Sequence, residues 1–241
     1  MGWQLTAAQF MTLWEATDLD RMPYPLTYRD TADTEDVHRH HTRALLAWRN
    51  SLNDRQLADC VTALRDPTIS VTVYAPYPEG AVRRRGCLGN DLAVLAEQAV
   101  GSVGGGDIHV SMNQDSIARN CTALALGLVG DLPACQAGHG PELSAHPDDL
   151  SPRNGTSILQ STIDSPGERI RRLLSQPRNG VGYICIRGRR DGLKEPLVDE
   201  FTWIDLDDGR YVHHVDDAAR LFPASPSRLL EELSRRIMFA I

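Results

Sequence analysis

Three groups of residues in this sequence are of the types that carry chemistry: an arginine triplet, two histidine clusters and a run of glycines. Arg83, Arg84 and Arg85 are consecutive, and guanidinium groups bind carboxylates in a bidentate geometry. In a functional interpretation, the triplet grips acidic residues of a partner. In a structural one, it is a solvated strand edge whose charge discourages strand pairing. The sequence alone leaves both interpretations open.

The histidines do not predict a metal site. His38, His40 and His41 share no spacing that places all three on one face of a helix, and no carboxylate–histidine motif accompanies them. His213 and His214 are consecutive in a predicted strand, so their side chains point to opposite sides of it. We therefore expect these histidines to bind no metal.

The glycine-rich stretch 101–106 does not predict phosphate binding either. It lacks the Gly-Lys-Ser/Thr ending of a phosphate loop and precedes a strand instead of a helix. Neither the G-x-S-x-G nor the H-E-x-x-H motif of hydrolases occurs. The five cysteines contain no C-x-x-C pair and are expected to be small buried hydrophobic side chains. The sequence predicts no catalytic residue, no cofactor and no metal.

Composition limits the class of protein further. With 241 residues, of which 41% are hydrophobic and 24% charged, the chain can form a packed core. The net charge of -7 argues against nucleic-acid binding. No apolar run approaches the roughly 20 residues that span a bilayer, and the N-terminus lacks the pattern of a secretory signal. We expect a cytoplasmic protein with reduced thiols and no membrane insertion.

The elements that would position these residues are most regular between Gly180 and Ile237. Apolar and polar residues alternate over 183–187 and over Leu197–Leu206, which predicts strands, and Phe201 and Trp203 are expected in the core. The sequence 207–209, Asp-Asp-Gly, predicts a hairpin turn. A helix should begin at Ser225 and bury one face of leucines and isoleucine: Leu229, Leu230, Leu233 and Ile237.

Three helices are predicted before Pro67. A capping box formed by Thr6 and Gln9 opens the first. The second begins near residues 33–34, and the residues expected to be buried on it are Val37, Ala44, Leu45 and Trp48. Asn53 is expected to cap the third.

The second half repeats the order of the first. Asp66-Pro67 and Gln176-Pro177 end helices 110 residues apart, and capped helices begin at Asp115 and Ser225, again 110 apart. This repeat aligns residues 92–100 with Leu197–Leu206 and predicts that both segments are strands. We predict one α+β domain of two structural repeats, about 1–130 and 156–241, joined by a Gly/Pro-rich connection, 130–155. Two pseudo-two-fold related halves then form a central, largely antiparallel sheet flanked by helices.

Several stretches resemble the EspG family of type VII (ESX) secretion-associated proteins. The opening reads W-x-L-T-x-x-Q-F-x-x-L-W and is followed by P-Y-P-L. Residues 83–96 read R-x-x-G-x-x-G-N-D-L-A-V-L-A. Residues 201–211 read F-T-W-I-D-L-x-D-G-R-Y, and P-A-S-P-S-R-L follows from Pro223. The likeness covers nearly the whole chain in the family's order and length.

This resemblance implies a cytosolic chaperone with an EspG-like fold, not an enzyme. Its partner would be a PE–PPE heterodimer or a similar helical-hairpin substrate, whose apolar tip it covers and whose secretion route it specifies. The implied contact surface comprises a loop at roughly 78–91, strands near 92–100 and Phe201–Leu206, and the helix 225–237. The implied contact residues are Arg83, Arg84, Arg85, Leu88, Asp91, Leu92, Val94, Thr202, Ile204, Leu229 and Leu233.

Two other classes of function stay open at this stage. One is a self-assembling structural protein whose repeat edges pair into a homodimer. The other is an enzyme with a small-molecule site that no motif reveals, for which a concave pocket with convergent titratable groups of perturbed pKa would be the sign.

Overall fold

A computed structural model describes residues 1–89, 91–101, 104–133, 135–150, 164–189, 191 and 195–241. Its strands are β1 (Gly2–Leu5), β2 (Ile69–Ala75), β3 (Val82–Gly89), β4 (Leu92–Gln98), β5 (Ile108–Gln114), β6 (Leu143–Ala145), β7 (Gly180–Arg187), β8 (Leu197–Leu206), β9 (Gly209–Val215) and β10 (Ala219–Pro223). Its helices are α1 (Ala7–Glu15), α2 (Glu35–Ser51), α3 (Arg55–Arg65), α4 (Ile117–Val129), α5 (Pro166–Leu174) and α6 (Pro226–Phe239), with a 3₁₀ turn at Pro147–Leu150.

The strands described here form one sheet in the order β1-β5-β4-β3-β2-β7-β8-β9-β10-β6, and every neighbouring pair is antiparallel. The pair β2–β7 at its centre joins the two halves of the chain, with Val71 opposite Ile186 and Tyr74 opposite Tyr183. The predicted α+β fold, a large antiparallel sheet flanked by helices, is confirmed.

One face of the sheet carries an aliphatic core that spans both halves. Alternate residues of β2 and β7, such as Val71, Val73, Ile184 and Ile186, are fully buried on this face. Helices α4 and α6 pack on each other and cover this face. Apolar residues alternate along these strands, so one face of the sheet is apolar and has to be covered.

The other face has two separate cores. In the first half, α1 and α3 pack on residues such as Val94 and Val110. In the second half, Ile170 of α5 packs on Ile204 and Tyr211. The centre of the sheet lies between these two cores.

The strand 92–100 exists as predicted, as β4, but its predicted alignment with Leu197–Leu206 is wrong. In each half a helix is followed by four strands and a helix; β4 is the third of the four, whereas β8 is the second. The counterpart of β4 in the sheet order is β9. The connection between β7 and β8 is longer than that between β2 and β3, and the connection between β9 and β10 is shorter than that between β4 and β5. Because these differences compensate, the 110-residue spacing of the helices hides the offset.

Two predictions about the early helices are also wrong. None of the 17 residues of α2, all of which the structure describes, is buried, and Val37 is 41% exposed. The helix packs against α1, and its Leu45 and Trp48 are only half-buried. The cap of α3 is Asp54, not Asn53: its carboxylate accepts from the backbone N–H of Leu57 at 3.0 Å.

Candidate partner-binding surface

The second face of the sheet is exposed at its centre, where three strands place polar and aromatic side chains side by side. Tyr183 of β7 lies opposite Thr202 of β8, which lies opposite His213 of β9. Two residues further along the same strands, on the same face, are Cys185, Glu200 and Val215. We call these six residues the open strip; they line a groove of about 390 Å³.

Tyrosines continue this surface across the centre of the sheet. Tyr74 of β2 is paired with Tyr183, which is 45% exposed. The ring of Tyr24, 61% exposed, lies 5.9 Å from that of Tyr74, centroid to centroid. The guanidinium of Arg83 lies 5.2 Å from the centroid of the Tyr74 ring and donates to the carbonyl of Pro25 at 2.8 Å. Arg83 therefore lies beside Tyr74 on the same face and links it to the segment that carries Tyr24.

Burial shifts the titration of the open strip towards uncharged forms. Burial lowers the pKa of His213, as do the neighbouring charges of His214 and Arg178. Burial, together with the Glu200 carboxylate, raises the pKa of the Cys185 thiol. Near neutral pH the strip presents an uncharged imidazole and thiol beside hydroxyl and apolar groups, with Glu200 as its charged member.

A second groove, of about 340 Å³, lies where the end of α6 meets β8 and β9. Its apolar rim includes Val198 and Phe239, which are 49% and 78% exposed. Its floor is an ion cluster in which Asp199 accepts from His214 Nε2 at 2.9 Å and from Arg236. The cluster ties the end of α6 to the sheet and leaves Phe239 in solvent.

Most residues that the family resemblance implied are not at a surface. Seven of the eleven are buried: Arg84, Arg85, Leu88, Val94, Ile204, Leu229 and Leu233. Arg84 Nη2 is 2.6 Å from Glu97, and Arg85 Nη2 is 3.0 Å from Glu195. The implied loop 78–91 is mostly strand β3, in the interior of the sheet. The interpretation of the arginine triplet as a solvated strand edge is therefore wrong for Arg84 and Arg85, which are buried in an interior strand and paired with carboxylates.

The four other implied residues are placed differently. Thr202 lies in the open strip, and half-buried Arg83 lies beside Tyr74, its cross-strand neighbour. Asp91 is exposed at the turn before β4, and its carbonyl accepts from Asn120 of α4, away from the strip. Leu92 is half-buried against the core of the first half.

Sequence reasoning missed the tyrosines, Glu200, His213 and Val215 as surface residues. One signal was present. Tyr183 and Cys185 alternate with Ile184 and Ile186 in β7, which predicts a strand with one aliphatic and one more polar face.

A cavity of about 490 Å³ between α1 and α2 is a candidate small-molecule site. Its walls include Tyr28, Leu45 and Trp48, with Asp30 and His41 among its polar groups. The pKa of Asp30 is lowered mainly by the backbone N–H of Ala32 and then by His38. That shift arises from a local turn at an exposed carboxylate, which gives no indication of catalysis. Within the described ranges, no three His, Cys, Asp or Glu side chains are placed to hold a metal.

The helices in the part of the chain that the structure describes include none that is long and apolar enough to cross a membrane.

Comparison with known proteins identifies the family and the fold. Residues 6–235 match the sequence model of the EspG family. Among solved structures, the fold is similar to that of the Mycobacterium tuberculosis type VII secretion system chaperone EspG5, determined in complex with the PE25–PPE41 dimer. The TM-score is 0.68 at 14% sequence identity, and the match covers 100% of this chain and 97% of that one. No curated protein matches the chain.

Proposed function

The chain belongs to the EspG family, and on that premise we propose that it is a chaperone of a type VII (ESX) secretion system. It binds PE–PPE heterodimers in the cytoplasm, keeps them soluble and specifies their secretion route. It acts by binding and carries out no chemical reaction. The exposure of the open strip is the observation that supports this location for the surface that contacts the cargo.

The open strip has the properties that such a cargo requires. A helical hairpin with an exposed apolar tip aggregates unless the tip is covered. Tyrosines offer large, rigid and amphipathic contacts, and Tyr183 and Tyr24 are both substantially exposed. Among the described residues, the chain's own cores cover this face on either side of the strip and its neighbouring tyrosines. The strip is thus a part of the face that an incoming hairpin can reach.

The groove under Phe239 lies on the opposite face of the sheet. Val215 belongs to the strip, whereas its neighbours in sequence, His214 and Asp216, line that groove, because successive residues of a strand point to opposite faces. The strip alone is therefore the surface that we propose for the hairpin tip. Because the cargo must be released, we expect an interface of about 1,600 Å² or less and not an obligate one.

Co-expression with PE–PPE pairs tests this function. We expect a stable ternary complex on gel filtration with wild-type chain and loss of that complex with Tyr183→Arg. The matched control is Leu126→Arg, since Leu126 is also exposed (55%) but lies on α4, which covers the opposite face. Circular dichroism checks that both variants fold.

Two outcomes would contradict the proposal in different ways. If no PE–PPE pair co-purifies with the wild-type chain, the chaperone function is wrong. If Tyr183→Arg retains the complex and Leu126→Arg loses it, the function stands and the surface is on the other face. Light scattering of the free protein gives its molar mass and identifies a homodimer if one forms.

A further inference from the structure

Glu200 is the charged residue in the groove of the open strip. The other residues lining this groove are apolar, hydroxyl-bearing or, like His213, held towards the neutral form by burial. Glu200 is exposed, and within the described ranges its carboxylate has no ion-pair partner. In the free chain, water solvates this charge.

Two arginines on neighbouring segments donate hydrogen bonds to backbone carbonyls instead of pairing with Glu200. Arg187, the next residue of β7 on the same face, donates from Nη1 to the backbone carbonyl of Glu195 at 3.0 Å. Arg178, whose charge acts on His213, donates to the carbonyl of Leu174 at 3.0 Å. Neither guanidinium lies within ion-pair distance of the Glu200 carboxylate.

A partner that covers the groove removes water from this carboxylate. Burying a charge without a counter-charge costs several kcal/mol, far more than an uncharged side chain would lose. Such a group selects among partners by penalising those that bring no cation. The groove around Glu200 is mostly apolar. A partner segment that fits it must therefore bring both a cation and apolar side chains.

We propose that Glu200 is a specificity-determining residue. The segment that enters the groove carries a Lys or Arg side chain next to apolar residues, and Glu200 pairs with it. This inference rests on the proposed function, because it assigns the chemistry of the cargo segment that fits the open strip. Apolar contacts hold the segment, and the ion pair decides which segment is accepted.

Isothermal titration calorimetry with a purified PE–PPE heterodimer that binds the wild-type chain tests the inference. We expect Glu200→Gln to weaken binding about tenfold, since it removes one charge-assisted contact, and Glu200→Lys to weaken it considerably more. Raising the salt concentration should weaken wild-type binding more than that of Glu200→Gln. The matched control is Glu15→Gln, at an exposed glutamate on α1 outside the strip.

The sign of the Glu200→Gln effect is decisive. If the cargo brings no cation, removal of the unpaired carboxylate leaves the affinity unchanged or strengthens it, and the inference is wrong. If the inference is right, a cargo whose Lys or Arg is replaced by Glu no longer binds the wild-type chain. The same cargo binds the Glu200→Lys variant, at least partly. A wild-type chain that binds no PE–PPE pair contradicts the proposed function instead, which separates the two failures.

Discussion

At the scale of single residues, four arginines are buried in the part of the chain that the structure describes, and each pairs with a carboxylate. The pairs are Arg84 with Glu97, Arg85 with Glu195, Arg210 with Asp205, and Arg236 with both Asp199 and Glu232. Two of them also donate to backbone carbonyls: Arg84 to Leu128 at 2.9 Å and Arg210 to Pro133 at 3.1 Å. These buried ion pairs fix the positions of strands and connections, whereas the open strip is mostly uncharged.

Arg210 is the most completely buried of the four, at 1% exposure. It contacts both oxygens of Asp205, at 2.6 and 3.0 Å, and the carbonyl of Pro133 at 3.1 Å. We expect Arg210→Ala to lower the free energy of unfolding by about 3–5 kcal/mol, because it leaves Asp205 buried and unpaired. Urea denaturation measures this loss. The control Arg119→Ala removes a surface pair and should cost less than about 1 kcal/mol; equal losses would contradict the prediction.

His213 gives the stability a defined pH dependence. Its pKa in the folded chain lies below the ordinary 6.5, mainly because of burial, so the unfolded chain takes up the proton first on acidification. Stability should be complete above about pH 6.5 and fall as the pH drops from there through the folded pKa. Urea denaturation between pH 5 and 7.5 measures this change. The change in the free energy of unfolding with pH should be smaller in His213→Gln than in the wild type. In the control His139→Gln, at an exposed site, this change should equal that of the wild type.

At the scale of elements, the helices differ in how firmly they are held. α3 buries Leu57, Cys60, Val61 and Leu64 in the core, whereas α2, over more residues, buries none of its own. Cavities of about 490 and 240 Å³ flank the contact between α2 and α1. α2 is therefore the least anchored helix of the first half.

Hydrogen exchange should show this difference directly. We expect the amides of α2 to exchange faster than those of α3 under native conditions, because helices with few buried contacts open locally at little cost. Mass spectrometry of peptides from 35–51 and from 55–65 makes the comparison. Equal protection of the two segments would contradict the loose docking of α2.

At the scale of the whole molecule, the two halves share one core. Side chains from both halves, including Val73 and Ile184, belong to the same cluster beneath α4 and α6, and β2 pairs with β7 across the junction. Around that junction, a helix, four strands and a helix occur on each side. We propose that the two halves are structural repeats folded into one domain.

A shared core implies cooperative unfolding. We expect one transition in which the calorimetric enthalpy equals the van't Hoff enthalpy, since neither half can lose its strands without exposing the other's core. Differential scanning calorimetry measures both quantities. Two resolved transitions would contradict this expectation and would show that the halves are independent domains.

The local part of the structure could be predicted from the sequence because it depends on neighbouring residues. The predicted capping box of Thr6 with Gln9 is present, and Ser225 caps α6. The alternation in β7 and β8 predicted strands, and Phe201 and Trp203 are in the core as expected. Caps and period-2 patterns act over a few residues, so one sequence contains them.

The site could not be predicted in the same way. Alternation defines two faces of a strand but does not say what covers each one, and that depends on elements distant in sequence. The Arg85 side chain is buried because Glu195, 110 residues away, meets it. Tyr183 is exposed because the cores of both halves stop short of it. The sequence by itself determined the helices, most strands and the family. Tertiary packing alone decided which charges are structural and which face stays open, because burial is a property of assembled elements.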